Sequence, residues 1–99
     1  MATKMRRSSG NVFRDLGFPP AEAESLRIRS ELMTRLRKVI EDEGLTQAAS
    51  ARLLGVSQPR VSDLVRGRFE LFSIDKLVNM LAKAGLRATV TIRARTRAA

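Results

Sequence analysis

Apolar positions recur at helical spacing through most of this chain and switch to strict alternation only near its end. Asn11 is suited to cap a single turn through Val12, Phe13 and Leu16, with Gly17 ending it and Phe18 leading into Pro19-Pro20. Val12, Phe13, Leu16 and Phe18 are expected to form a small apolar clasp. Pro20 fits the first turn of a long helix, and Glu22 and Glu24 favour the positive end of its dipole. Leu26, Leu32, Met33, Leu36, Val39 and Ile40 then repeat at helical spacing, and Gly44 is placed to terminate the helix. Farther on, Ser73 can cap another helix whose start is held by Phe72 packing on Leu77. Val78, Leu81 and Ala82 are expected to continue that helix's apolar side, with Gly85 stopping it.

From Leu86 the period changes to two: Leu86, Ala88, Val90, Ile92 and Ala94 alternate with Arg87, Thr89, Thr91, Arg93 and Arg95. This is the pattern of a half-buried strand over residues 86–95. A single strand leaves its backbone unsatisfied, and no other segment alternates convincingly. Antiparallel pairing between two copies about a twofold axis is expected, with Ala88, Val90 and Ile92 as dimerisation residues. A frayed basic tail and pairing with an N-terminal stretch are the alternatives. Residues 1–10, with Lys4, Arg6, Arg7, Ser8 and Ser9, are expected to be a flexible basic arm, leaving 11–99 as one domain.

Composition sharpens this picture. The 99 residues carry 19 Lys plus Arg against 10 Asp plus Glu, a formal net charge of +9. The excess is uneven: 9 basic and 7 acidic residues precede Gly44, whereas 10 basic and 3 acidic residues follow from it. Such a chain seeks polyanions. Without Cys or His, it has no thiolate site and lacks the commonest zinc ligand and general base. No cofactor or metal is expected, nor is enzymatic activity; the carboxylate run Glu41, Asp42, Glu43 at a helix end fits a solvated face. No apolar run reaches the roughly 18 residues of a membrane span, and the first residues lack the apolar core of a signal peptide. A cytoplasmic protein with no membrane partner is the expectation.

The most informative stretch is Leu45 to Gly67, where two short capped helix signals flank a glycine turn. Thr46 can cap the first helix, and Gln47 stands at its start, where backbone N–H groups favour a phosphate. Ala51 suits a close helix crossing, Gly55 a positive φ, and Val56 the corner. Ser57 can cap the second helix by accepting from the N–H of Arg60, and Pro59 is tolerated in its first turn. Val61, Leu64 and Val65 should face the core. Gln58, Pro59, Ser62, Asp63 and Arg66 form the opposite stripe, with Arg60 beside it.

These side chains suit a DNA groove. A glutamine can donate to and accept from an adenine edge, and an arginine can bridge guanine O6 and N7. Gln58 is the first base-reading candidate, followed by Arg60 and Ser62. Arg66 and Arg68 are expected to touch the DNA backbone. Asp63 can pair with Arg60 or Arg66, or accept from a cytosine amino group. An RNA-binding module is disfavoured because the 4 Phe residues supply no ring on the stripe for base stacking.

At Leu45 to Gly67 the chain resembles the lambda-repressor-like, or XRE, family of helix-turn-helix proteins. That resemblance implies a mainly α fold of four to five helices, with the C-terminal strand as a departure from it. It also implies that Gln47 holds a phosphate and supports Gln58 on double-stranded operator DNA. Ser9 to Gly17, Ser57 to Ser62 and Phe72 to Leu77 resemble the HigA-like antitoxin subgroup. This implies a homodimer that represses its own operon at a palindromic operator and neutralises a RelE/HigB-like toxin. A free-standing XRE-family repressor with no toxin partner is the alternative.

Overall fold

A computed structural model describes residues 10–94, so the expected basic arm lies, apart from Gly10, outside the described residues. Five α-helices follow one another: α1 (Val12–Asp15), α2 (Pro20–Asp42), α3 (Gln47–Leu54), α4 (Gln58–Val65) and α5 (Ile74–Lys83). A single 3-10 turn, Phe69–Leu71, links α4 to α5.

The helix starts are built as local chemistry requires. Asn11 Oδ1 accepts from the N–H groups of Phe13 and Arg14, while its Nδ2 donates to the Ala23 carbonyl across to α2. One buried side chain thus both caps α1 and clamps it to its neighbour. Thr46, Ser57 and Ser73 each accept from the N–H three residues on, capping α3, α4 and α5. Pro20 opens α2 with no side-chain cap, where its missing N–H costs nothing.

Packing centres on α2. Met33 and Leu36 are buried together with Leu54 of α3, Leu64 of α4, Phe72, and Leu77, Met80 and Leu81 of α5. A second cluster of Phe13, Ala23 and Leu26 holds α1 against the start of α2. Phe69 packs on both, meeting the Phe13 ring edge-on at 5.2 Å, and its carbonyl accepts from Arg29 Nη1 at 3.4 Å. The 3-10 turn therefore serves as the joint between the two clusters. It also delivers Phe72 to the main core one residue before the Ser73 cap.

Two expectations are corrected, and the pairing of the C-terminal segment is not shown within one chain. The apolar clasp reduces to Phe13, because Val12 and Leu16 are 60% and 69% exposed and Phe18 lies at the surface against Phe13. On α5 the inward stripe is Leu77, Met80 and Leu81, while Val78 and Ala82 face outward; the i, i+3, i+4 spacing from Leu77 selects Met80 instead. Among the described residues there is no strand: residues 86–94 pair with no other described segment. Only Leu86 of the alternating row packs on the core, and its N–H donates to the Leu81 carbonyl at 2.9 Å. Ala88, Val90 and Ile92 stand exposed. A period-two pattern marks a segment fit for a ladder, but a ladder needs a second edge.

The corner between α3 and α4 rests on Gly55, whose φ of 70° is the left-handed conformation that leaves α3. A side chain there would meet the Lys83 tip, with Nζ 2.7 Å from the Cβ position. Because that tip is flexible, the backbone conformation governs the cost. Gly55→Ala should lower stability by about 1–2 kcal/mol. Urea unfolding of Gly55→Ala alone and with Lys83→Ala checks this: the deficit should survive in the double variant, and recovery would assign it to the clash.

Candidate DNA interface

The interface grows from the caps. Thr46 and Ser57 fix the starts of α3 and α4, so Gln47 and Gln58 each occupy the first helical position, with both side chains exposed. Buried Ala51 and Leu54 of α3 and Val61 and Leu64 of α4 pin the two helices together. With Val61 and Leu64 inward, helical geometry turns Gln58, Pro59, Ser62, Asp63 and Arg66 to the opposite face. Gln58, Pro59 and Arg66 are exposed; Ser62 and Asp63 are half-buried.

Val65 departs from its expected core position and is 41% exposed. Seven residues after Gln58, it lies in the same row, so the stripe offers one apolar contact of the kind a thymine methyl accepts. Val61, Leu64 and Val65 share the i, i+3, i+4 spacing of one face, so spacing alone does not reveal that Val65 lies at the exposed edge of the buried stripe.

Arg60 is engaged within the protein. Its Nη1 lies 3.6 Å from an Asp63 carboxylate oxygen and donates to the Leu71 carbonyl at 3.4 Å, while its guanidinium stands 5.4 Å from the centre of the Phe72 ring. Of the options open for Asp63, pairing with Arg60 is the one realised. Arg60 thus ties the outer side of α4 to the connection entering α5, leaving Gln58, Ser62 and Arg66 as the unengaged polar members of the stripe.

The end of α4 carries the charge. Arg68 Nε donates to Glu70 Oε2 at 3.2 Å, which places a carboxylate on a residue expected to meet phosphate. The Glu70 carboxyl is held below its ordinary value by the backbone N–H of Glu70 itself and then by Arg68. Arg37, thirty residues earlier on α2, reaches the same place: its Nη1 lies 3.8 Å from where a Cβ on residue 67 would stand. No local pattern in the sequence links Arg37 to Gly67; only the packing of α2 against α4 does. Arg37 and Arg66 form no ion pair within the described residues, which leaves them the free cations at this end of the helix.

Glu41, Asp42 and Glu43 are exposed at the end of α2, with Asp42 paired to Lys38 at 3.3 Å. Among the described residues no three metal-ligating side chains gather. None of the described helices is long and apolar enough to cross a membrane.

Comparison with known proteins places this geometry. Residues 12–93 match the family described as a helix-turn-helix domain. A solved structure assigned to the XRE family of transcriptional regulators superposes with a TM-score of 0.70 at 36% sequence identity, covering 79% of this chain and 90% of that one. No curated protein matches the chain. The chain belongs to the helix-turn-helix domain family and is of the XRE type.

The Arg68–Glu70 pair generates a test. Glu70→Gln removes a carboxylate that competes with phosphate for Arg68, so it should strengthen binding to operator and random duplex alike. The slope of log K against log salt should steepen by up to about 0.9. Fluorescence anisotropy across a salt series measures both, and an unchanged slope would remove Arg68 from the interface.

Proposed function

We propose that this protein is a sequence-specific transcriptional repressor that binds a palindromic operator as a homodimer, acting without cofactor and without catalysis. The observation that carries this reading is the outer stripe of α4, where exposed Gln58 opens a helix backed by buried Val61 and Leu64. Laid in a major groove, Gln58 reads an adenine edge, Ser62 and Val65 contact neighbouring bases, and Gln47 holds phosphate from the start of α3. Arg66 and Arg37 grip the backbone at the other end. Two copies set their α4 helices in successive grooves about 34 Å apart along one face of the duplex.

Within that role, the protein acts as the autorepressing antitoxin of a type II toxin–antitoxin system and neutralises a RelE/HigB-like toxin. Its resemblance to HigA-like antitoxins supports this, and so does the surface of α1. Val12 and Leu16 are largely exposed on a turn that Asn11 clamps rigidly to α2, a preformed apolar contact for a protein partner.

Gln58→Ala should weaken operator binding by about 1–3 kcal/mol and relax preference at one base position. Arg66→Ala should weaken all sequences alike. Binding titrations against an operator substitution series separate the two, and identical losses of specificity would refute the division into base and backbone contacts. For the antitoxin role, the product of the adjacent gene should co-purify with this protein. Val12→Glu with Leu16→Glu should release that toxin while leaving operator affinity intact; retained toxin would move the contact away from α1.

A further inference from the structure

The most exposed of the large apolar side chains among the described residues lie together on the C-terminal segment: Val90 is 80% and Ile92 90% exposed. From Arg87 to Ala94 the segment makes no backbone hydrogen bond with any described residue. It nevertheless has a defined setting. With Ile28 and Leu32 of α2 and Ile74 and Val78 of α5, residues 88–91 border a groove of about 610 Å³ that the charged Glu24, Arg27 and Glu31 also line. Val78 lies 38% exposed here, which accounts for an apolar residue on the outward side of α5.

The occupant must supply both a strand edge and an apolar row. The segment has those properties itself, so it is self-complementary, and charge disfavours two of its registers. Antiparallel pairs lie on the same face only when apolar positions oppose apolar positions. Centring the pairing on Val90 sets Arg87 against Arg93, and centring it on Thr91 sets Arg87 against Arg95, like charges directly opposed. Centring it on Thr89 sets Arg87 against Thr91, Ala88 against Val90 and Leu86 against Ile92. Parallel pairing in register would stack every arginine on its equivalent. Leu86 is the one member of the row already packed on the core, so the Thr89 register brings the most exposed side chain, Ile92, beside the best-anchored one.

We propose that this groove is the seat of a second copy of the chain, whose residues 86–92 pair antiparallel with the same residues here about a twofold axis through Thr89. The proposal rests on the homodimer reading above and gives it a surface and a register. The ladder satisfies the main-chain groups of both segments, and each apolar row covers the other copy's α2–α5 groove.

The chain has no cysteine, so single-cysteine variants report the register cleanly. A disulfide forms readily when Cα atoms lie within about 7 Å. In the Thr89 register residue 89 faces itself within that reach, whereas the two copies of residue 90 stand about 8 Å apart. Thr89→Cys should therefore oxidise to a covalent dimer on a non-reducing gel, and Val90→Cys should not. Ile92→Glu, altering an exposed residue, should leave the helical circular dichroism unchanged and raise the dimer dissociation constant at least tenfold in sedimentation equilibrium. A wild-type chain that stays monomeric would overturn the homodimer reading itself. A dimer indifferent to Ile92→Glu, or cross-linked through residue 90 in preference to 89, would overturn this interface and leave that reading intact.

Discussion

The helix-turn-helix hangs from one buried contact, the inward face of α2 at Met33 and Leu36. Leu54 of α3, Leu64 of α4 and Leu77 of α5 converge on it. Because α3 and α4 are only eight residues each, neither would hold its shape alone in water. Their caps and the Gly55 corner set local direction, but the burial of Leu54 and Leu64 supplies the stability. The same contact brings α2 close enough for Arg37 to reach the end of α4.

A second layer of order lies in side chains that join elements. Asn11 joins α1 to α2, Phe69 joins the two apolar clusters, and Arg60 joins α4 to the segment entering α5. Each satisfies a local need and a distant one together. The connection between α4 and α5 is thereby held on three sides, by Arg29 on the Phe69 carbonyl, by Arg60 on the Leu71 carbonyl and by Phe72 in the core. That restraint keeps the outer stripe of α4 oriented before any ligand arrives.

What could be read from the chain beforehand divides along the same line. Caps and terminators were legible because they act over three or four residues: Asn11, Thr46, Ser57, Ser73 and the glycine at 55 all stand as their chemistry dictates. The outer stripe of α4 was legible because two buried positions fix a helix's rotation. Arg37 beside Gly67 was not, since it depends on how two helices cross. Asp63 was legible as a partner of Arg60 at i, i+3, but the Leu71 carbonyl and the Phe72 ring were not, because a 3-10 turn that no periodicity announces brings them near. The alternating C-terminal row identified a segment able to pair, and left its partner to be inferred from the groove beside it.

The ion pair between Arg60 and Asp63 has a consequence for how such a protein searches a genome. It cancels most of the charge on the reading face of α4, leaving Arg66 as that helix's free cation. Attraction to phosphate is indifferent to sequence and lengthens every stop on the wrong site. In the proposed complex a nearly neutral reading face would keep those stops brief, leaving residence time to the base contacts proposed for Gln58 and its neighbours.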